Sequence, residues 1–229
     1  MKYQSDLNFK SEVFDQSKFR KVSLYEVHQN IAYKVDPILE EYERKKNILS
    51  LRKELLSHAK GFVLETAVGT SRNLNYYPEG CKIIGTDWAS NMLDVALTKI
   101  APKGIEIDYN IEDTERLNFK DDVFDTVVDT FGLEAYVNPE KALNEMRRVC
   151  KKDGKILILT SGLSENSFLN NTLQVRTVYF MKNYGYVPNR DWNKIMGSMN
   201  FEVEQTGRWF NGTIYLYILK NNKETIEKN

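Results

Sequence analysis

The sequence predicts an α/β fold with a doubly wound, mostly parallel sheet. Short apolar runs that suit buried strands alternate with segments in which apolar residues recur at helical spacing. The first of these runs, residues 61–68, leads into a turn of small residues around Gly69. A strand followed by such a turn presents backbone N–H groups to a ligand at the carboxyl edge of an open α/β sheet.

Seven strands are predicted in all. The first five suit a parallel arrangement because a helix-compatible segment lies between most successive strands. The last two are joined through Gly207 and Gly212 and suit an antiparallel pair. The predicted strands are residues 61–68, 81–87, 105–111, 123–133 with the strand exit, 155–160, 201–206 and 213–219.

The segments between the strands are predicted to be helical. Residues 23–58 carry apolar residues at roughly helical spacing, with Asp36 as a plausible cap and Pro37 as the first helical residue. A polar, helix-compatible segment follows Gly69 and closes near Gly80. Further helices are predicted from Met92 to Ile100, from Asn138 to Cys150, over residues 164–183 and from Asn189 onward.

The composition is that of an ordinary globular domain. The chain has 229 residues, of which 41% are hydrophobic and 28% are charged, and its formal net charge is zero. These values suit one α/β domain with an extra terminal segment. The balanced charge argues against a nucleic-acid binder, because binding to phosphates usually depends on a basic surface.

Cysteines, histidines and apolar runs argue against several other classes. Cys81 and Cys150 are far apart, so neither a disulfide framework nor a zinc pattern is predicted, and a reducing compartment is expected. His28 and His58 show no metal-binding spacing, and no metal site is predicted. No stretch approaches the ~20 apolar residues of a membrane span. The first residues do not form a signal peptide, and they are too acidic for an intact mitochondrial presequence.

The turn after the first predicted strand is a candidate ligand site. Gly69 would let the backbone approach a ligand closely, and Ala67 is the next smallest option. Glu65, at the strand end, suits a ligand with cationic groups, whereas a phosphate-binding loop would need a lysine and several glycines. The alternative is an ordinary strand-to-helix turn with a chance glycine.

A second candidate follows the second predicted strand. The spacing from Gly69 to Asp87 is close to the ~20 residues expected between a glycine turn and a carboxylate that accepts from both ribose hydroxyls. Trp88 and Met92 could pack on an adenine ring. Alternatively, Asp87 caps the following helix, a role for which Ser90 competes.

Residues 62–74 resemble the first motif of class I S-adenosylmethionine methyltransferases. Glu65, Gly69 and Thr70 match that motif, while Ala67 and Ser71 stand where glycines are commoner. The resemblance implies S-adenosylmethionine as cofactor and a Rossmann-like, seven-stranded sheet that ends in an antiparallel pair. It also implies an N-terminal helical lid over the cofactor pocket. Tyr33 is a candidate lid contact, and a core tyrosine is the alternative.

The same resemblance assigns further residues to the cofactor. Residues 112–119 resemble the family's adenine-binding loop, in which Asp113 would take the exocyclic amine; a surface acid is the alternative. Thr130 and Phe131, at the end of the fourth strand, would border the reactive methyl group. The cofactor-binding residues implied are Glu65, Ala67, Gly69, Thr70, Asp87, Trp88, Met92, Asp113, Thr114 and Thr130.

Three blocks, residues 55–73, 129–149 and 185–191, are similar to one branch of this class. The branch is membrane-associated and includes alkyl-thiol methyltransferases and a mitochondrial inner-membrane methyltransferase-like protein. Ubiquinone and menaquinone C-methyltransferases are more distantly similar. The resemblance implies a small or lipophilic acceptor, thiol or quinone-like, and a mitochondrial location, with a cytoplasmic one as the alternative.

The acceptor half of the sequence departs from that branch. Glu134 stands where the branch usually has Cys, and Ser161 stands where it usually has His. Tyr186 and Pro188 replace a Cys and a Trp, and the hydrophobic membrane anchor is absent. Without a histidine near the transfer site, no general base is predicted.

Two other functions compete with methyl transfer to a small acceptor. The eroded acceptor motifs and an aromatic N-terminal arm favour a methyltransferase fold with weak or no activity, serving as a structural or assembly subunit of a larger complex, for which the resemblance implies mitochondria. RNA methylation is disfavoured by the balanced charge. The predicted domain division is an N-terminal arm at 1–22, a class I methyltransferase domain at 23–220 and a polar tail at 221–229.

Overall fold

A seven-stranded sheet forms the centre of the protein in a computed structural model that describes residues 21–223. The strand order is β3-β2-β1-β4-β5-β7-β6; β1 to β5 pair in parallel, and β7 is antiparallel to both neighbours. The predicted fold class is thereby confirmed. The strands are β1 Phe62–Thr66, β2 Lys82–Asp87, β3 Glu106–Ile111, β4 Phe124–Thr130, β5 Cys150–Ser161, β6 Glu202–Trp209 and β7 Ile214–Lys220.

Helices cover both faces of this sheet. One buried cluster includes Leu143 of α5 and Trp192 of α7, and the other includes Ile48 and Leu55 of α3. Full burial of each such side chain contributes about 1.5–3 kcal/mol. Helix packing therefore stabilises the sheet from both faces. The helices are α1 Lys21–Ile31, α2 Val35–Lys45, α3 Ile48–Leu56, α4 Ser90–Ala96, α5 Pro139–Val149, α6 Ser167–Tyr184 and α7 Trp192–Ser198.

The single helical segment expected at 23–58 is wrong, because three helices occupy that stretch. A turn at residues 32–34 separates α1 from α2, and Asn47, with a left-handed φ of 53°, separates α2 from α3. Asp36 does not cap a helix either. It lies in the first turn of α2, and its carboxylate binds side chains outside that helix.

The helix expected after Gly69 is also wrong. The connection from β1 to β2 contains only a short 3-10 turn, Leu74–Tyr76. Ala67, Gly69 and Ser71 have φ values of 44°, 55° and 62°. Left-handed residues at alternate positions prevent a continuous right-handed helix, so this connection remains an irregular loop over the end of β1.

Two other boundaries differ from the prediction. The helix expected from Met92 to Ile100 ends at Ala96, because the next residues form tighter turns; Leu97 and Ile100 are exposed. Asn221, the first residue of the expected tail, is packed into the fold. The Asn221 side chain is fully buried and donates to the carbonyl oxygens of Arg147, Cys150 and Lys151 at 3.0, 2.8 and 3.1 Å.

The remaining predictions on the chain ends fall outside the described residues, which include neither 1–20 of the predicted arm nor 224–229 of the predicted tail. Between residues 21 and 223, no helix has the length and hydropathy of a membrane span. Cys81 and Cys150 are both buried, and burial raises the pKa of the Cys150 thiol to about 12.

Candidate functional site

A cavity of about 280 Å³ lies at the carboxyl ends of β1, β2 and β4. Its volume is at the lower end of the roughly 300–1,000 Å³ usual for small-molecule pockets. The N-terminal helices α1 and α2 contribute its cover, through residues that include His28, Leu39 and Tyr42. All ten residues named from the sequence line it: Glu65, Ala67, Gly69, Thr70, Asp87, Trp88, Met92, Asp113, Thr114 and Thr130.

The loop after β1 presents open backbone to this cavity. Gly69 has a φ of 55°, a left-handed conformation that favours glycine. A Cβ added there would meet only the Ala67 carbonyl oxygen, at 4.0 Å, so the space beside the backbone is free. Thr70, the next residue, is buried, and its hydroxyl donates to Asp36 of α2 at 2.5 Å. The loop therefore leaves room for a ligand and connects directly to the cover.

Asp87 joins the ends of β1 and β2. Its Oδ2 accepts from the Gly69 backbone N–H and its Oδ1 from the Ala89 backbone N–H, both at 2.9 Å. The helix-cap alternative does not account for these contacts, because Gly69 lies in a different loop. The first turn of α4 instead donates, through the Asn91 backbone N–H, to Gln29 of α1 at 2.7 Å. Burial raises the pKa of Asp87 to about 6.

Glu65 is a buried carboxyl group near the end of β1. Its side chain accepts from the Asn73 amide at 2.8 Å and from the Tyr77 hydroxyl at 2.7 Å. Only 2% of Glu65 is exposed, and burial raises its pKa to about 7 despite both hydrogen bonds. Its carboxyl group thus fixes the loop after β1 and remains close to its titration range at neutral pH.

Aromatic and apolar residues line the side of the cavity near β2. Trp88 donates from its indole Nε1 to His28 Nδ1 at 2.9 Å, and Met92 packs in the same buried cluster. Burial lowers the pKa of His28 to about 4, so the imidazole is neutral and can accept this bond. No local pattern in the sequence places His28 here, since its partner lies 60 residues away.

A network of buried charges connects the cover to the strand ends. Glu43 of α2 pairs with Arg52 of α3 at 2.6 Å and with Arg72 of the β1 loop at 2.9 Å. Arg52 also donates to Asn73 at 2.7 Å and to Thr130 at 2.8 Å. These contacts span four segments that line the cavity, so they determine how closely α2 lies over it.

The candidate lid contact Tyr33 is wrong. Its side chain is 64% exposed, does not line the cavity and donates to Asp94 at 3.3 Å. The core alternative is also wrong, because a side chain that is 64% exposed is not part of the core. Tyr33 lies in the turn between α1 and α2, and the cavity is instead covered by the helices on either side of that turn.

The opposite end of the cavity contains polar groups that the sequence did not assign to a site. Glu134, after β4, accepts from both the backbone N–H and the hydroxyl of Ser161, at the end of β5, at 2.7 Å. Tyr42 and Tyr186 also line this end. Glu134 and Ser161 are two of the positions at which the sequence departs from the branch it resembles. That departure is the feature of the sequence that could have indicated a role for them in the site.

The cavity fits S-adenosylmethionine at its β1 and β2 end. Open space beside Gly69 allows close approach, the carboxyl groups of Glu65 and Asp87 suit cationic groups, and Trp88 with Met92 offers an apolar surface. No group of three or more His, Cys, Asp or Glu side chains within the described part of the chain could hold a metal ion.

The fold is the one that class I S-adenosylmethionine-dependent methyltransferases share. Residues 64–158 match the family model described as a methyltransferase domain. That family and this fold imply S-adenosylmethionine as the cofactor, as the sequence predicted.

Curated relatives are methyltransferases of several kinds. The chain is 27% identical to the mitochondrial methyltransferase OMS1 of Saccharomyces cerevisiae, over 94% of this chain and 51% of that protein. It is 37% identical to a phosphatidylethanolamine N-methyltransferase of Cereibacter sphaeroides, over 43% and 50% of the two chains. It is 31% identical to the ubiquinone/menaquinone biosynthesis C-methyltransferase UbiE of Bdellovibrio bacteriovorus, over 53% and 57%. The chain therefore covers about half the length of these relatives.

Solved structures share the fold at low sequence identity. A chain of the complex between the Haloferax volcanii Trm112 methyltransferase activator and a putative methyltransferase aligns with a TM-score of 0.65 and 13% identity, over 85% of this chain and 97% of that one. A possible histamine N-methyltransferase of Thermotoga maritima aligns with a TM-score of 0.60 and 20% identity, over 87% and 100%. Both similarities concern the fold alone.

Proposed function

We propose that this protein transfers the methyl group of S-adenosylmethionine to a small or lipophilic acceptor, thiol or quinone-like. The observation that carries the proposal is the hydrogen bond from the Gly69 N–H to Asp87, at the rim of a cavity that continues to Glu134 and Tyr186. One end therefore has the features of a nucleoside site, and the other offers room and polar groups for an acceptor.

The residues divide the work between holding the cofactor and placing the acceptor. When bound, S-adenosylmethionine supplies an electrophilic methyl group on a sulfonium. Asp87 would accept from the ribose hydroxyls, and Asp113 would accept from the adenine amine. Glu65 would hold the methionine end or its loop, while the helices α1 and α2 exclude water. Such alignment of two reactants can supply about 7–11 kcal/mol of the barrier to a displacement.

Mitochondrial location is part of the proposal. It is supported by the similarity to a relative whose name places it in mitochondria. A cytoplasmic location is the alternative. Imaging of the tagged full-length protein in its own organism, beside a mitochondrial marker, would decide between them.

Replacing Asp87 with alanine is expected to weaken S-adenosylmethionine binding by about 10- to 100-fold, because a buried charge-assisted acceptor is worth about 1.5–3 kcal/mol. Isothermal titration calorimetry measures the change. Asp94→Ala, on the same helix-bearing segment but outside the cavity, is the matched control and should bind normally. Unchanged affinity in Asp87→Ala would contradict the assignment of the ribose site.

Binding of S-adenosylmethionine is expected to tighten about tenfold from about pH 5 to about pH 8. The pKa values of Glu65 and Asp87 are raised to about 7 and about 6, so both carboxyl groups take up protons as the pH falls through that range. The cationic methionine end favours ionised Glu65, and the ribose hydroxyls favour ionised Asp87, which is the better acceptor. Binding therefore releases protons, and affinity must rise with pH. Calorimetry in buffers of different ionisation enthalpy measures the proton release.

The matched ligand for that experiment is S-adenosylhomocysteine, which lacks the sulfonium charge. Its affinity should rise less over the same range. A flat profile for S-adenosylmethionine would contradict the placement of both carboxyl groups against the cofactor. Equal slopes for the two ligands would show that the sulfonium charge does not contribute to the pH dependence.

An assembly role without turnover is the second candidate. The observation that favours it is the departure at Glu134 and Ser161 from the branch that the sequence resembles. Chromatography of the purified protein with light scattering, together with an assay on a thiol and on a hydroquinone, separates the two. A monomer that methylates either acceptor would contradict the assembly role.

A further inference from the structure

Glu134 is a buried carboxylate with an unused oxygen. Only 2% of the residue is exposed. Its Oε1 accepts two hydrogen bonds from Ser161, whereas its Oε2 is buried and accepts none from the residues that the structure describes. A buried charged oxygen without a partner is costly, and in native proteins it usually has a ligand, a water or a catalytic role to explain it.

The position of Glu134 is fixed by three parts of the fold. Its side chain binds Ser161 at the end of β5, and its backbone carbonyl accepts from the Val187 N–H at 2.9 Å. The loop that carries it follows directly on β4, whose last residue, Thr130, lines the cofactor end of the cavity. Glu134 is therefore held rigidly between the proposed cofactor end and the acceptor end.

Aromatic rings form the walls around this carboxyl group. Tyr42 of α2, Phe131 after β4 and Tyr186 all line the same cavity. The charge of Glu134 contributes to raising the pKa values of both tyrosines, after the larger effect of their own burial. Flat aromatic walls with one buried carboxylate suit an acceptor that is planar and carries a proton to give away.

We propose that Glu134 is the general base of the reaction, taking the proton from an aromatic hydroxyl on the acceptor. The inference rests on the proposed function and adds the group that the sequence could not supply. In this step the acceptor O–H bond breaks, and the proton forms a bond to Oε2. The electron pair stays on the acceptor oxygen, so a carboxylate and a phenol become a carboxylic acid and a phenolate.

The surroundings of Glu134 favour this role electrostatically. Burial raises its pKa to about 7, the Ser161 hydrogen bonds oppose that rise, and the charge of Asp129 adds to it. The charge of Glu134 in turn acts to raise the pKa values of Arg190, Tyr42 and Tyr186. A base whose pKa lies near the working pH is the most effective, because it is both ionised and basic enough to accept a proton.

The test is a binding experiment on the full chain saturated with S-adenosylhomocysteine. The probes are 2-naphthol and its methyl ether, 2-methoxynaphthalene, which have the same rings but differ in the proton. The wild-type protein is expected to prefer 2-naphthol about tenfold at about pH 8, where Glu134 is ionised, and to lose that preference at about pH 5.5. Quenching of naphthalene fluorescence measures both affinities.

Glu134→Gln keeps the shape of the side chain and an oxygen that can accept from Ser161, but its amide group does not titrate. Its preference for 2-naphthol is expected to be the same at both pH values. Glu140→Gln, on the exposed surface of α5, is the matched control and should behave as the wild type. A pH-dependent preference that persists in Glu134→Gln, or none in the wild type, would overturn the assignment of Glu134.

The same samples separate this inference from the proposed function. Calorimetry with S-adenosylhomocysteine precedes the probes, and Glu134→Gln is expected to bind it with wild-type affinity. Failure of the wild type to bind S-adenosylhomocysteine would overturn the proposed function itself. Normal binding with no pH-dependent preference for 2-naphthol would overturn only the role of Glu134.

Discussion

Replacing Asp129 with alanine is expected to lower the free energy of unfolding by about 4 kcal/mol. The carboxylate at the end of β4 is fully buried and accepts four hydrogen bonds. Gly132 and Leu133 donate their backbone N–H groups at 3.0 Å each, and the hydroxyls of Thr66 and Tyr136 donate at 3.0 and 2.8 Å. Alanine leaves three of these buried donors without an acceptor, at about 1–3 kcal/mol each before relaxation, whereas the Thr66 hydroxyl can still donate to the Val128 carbonyl oxygen, 3.1 Å away.

The burial of the charge offsets part of this loss. Burial raises the pKa of Asp129 to about 6, which shows that the ionised form is held at some cost even with four donors. An apolar replacement recovers that cost, so the expected total is below the sum of three full penalties. A loss of about 4 kcal/mol is still a large part of the 5–15 kcal/mol by which most domains are stable.

Urea denaturation measures the decrease in the free energy of unfolding, and two further variants provide reference values for it. Asp129→Asn keeps an oxygen for part of the donors and should lose about half as much. Asp121→Ala removes an exposed carboxylate that pairs with Arg148 at 2.8 Å, and such pairs contribute only about 0–1 kcal/mol. A loss below about 1 kcal/mol in Asp129→Ala would mean that water replaces the carboxylate at no cost.

The same carboxylate determines how the two loops of the cofactor site meet. A Cβ on Gly132 would lie 2.5 Å from Asp129 Oδ2 and 2.6 Å from the Ala67 Cβ. The loop after β4 is therefore packed directly against the loop after β1, with Asp129 between them. Asp129→Ala should consequently weaken S-adenosylmethionine binding even though Asp129 itself does not line the cavity.

The sequence was sufficient for the fold because its signals are local. Buried strands with intervening helices are visible as apolar runs and periodicity, and the carboxyl ends of parallel neighbours must meet at one edge. Gly69 and Asp87 can therefore be placed together from their positions after two such strands, and the hydrogen bond between them shows that they are in contact. Whether they bind the cofactor remains a prediction.

The parts that sequence analysis missed depend on backbone conformation or on distant contacts. The apolar spacing at 23–58 continues across Asn47, but the left-handed φ of that residue cannot be inferred from periodicity. The contact of Glu134 with Ser161 depends on the register of β4 against β5, where Thr130 lies opposite Leu159. The sequence could show only that both positions were unusual.

Replacing Arg52 with methionine is expected to lower the free energy of unfolding by about 3 kcal/mol and to loosen α2 over the cavity. Breaking a buried ion pair by removing one partner typically costs about 3–5 kcal/mol, because the other charge is left uncompensated. Arg52 and Glu43 have side chains that are only 4% and 3% exposed. Arg72, which contacts Glu43 at 2.9 Å, is retained in the variant, so we expect the lower end of that range.

Two measurements separate global from local effects. Chemical denaturation gives the overall stability, and amide hydrogen exchange reports the opening of α2 itself. Exchange in α2 should accelerate more than in the central strands, because Arg52 also donates to Asn73 and Thr130 and so connects α2, through Glu43, to the strand ends. S-adenosylmethionine affinity should fall with the loss of this cover.

Two further variants test whether the buried charge is the cause. Lys45→Met breaks an exposed pair with Glu41 on the same helix, where both side chains are 62% exposed, and should cost less than about 0.5 kcal/mol. The double variant Arg52→Met with Glu43→Leu removes both charges and should regain part of the loss, since no uncompensated carboxylate remains. If the double variant is as unstable as the sum of the single ones, the two side chains do not act as a pair, and α2 is held over the cavity by its apolar contacts instead.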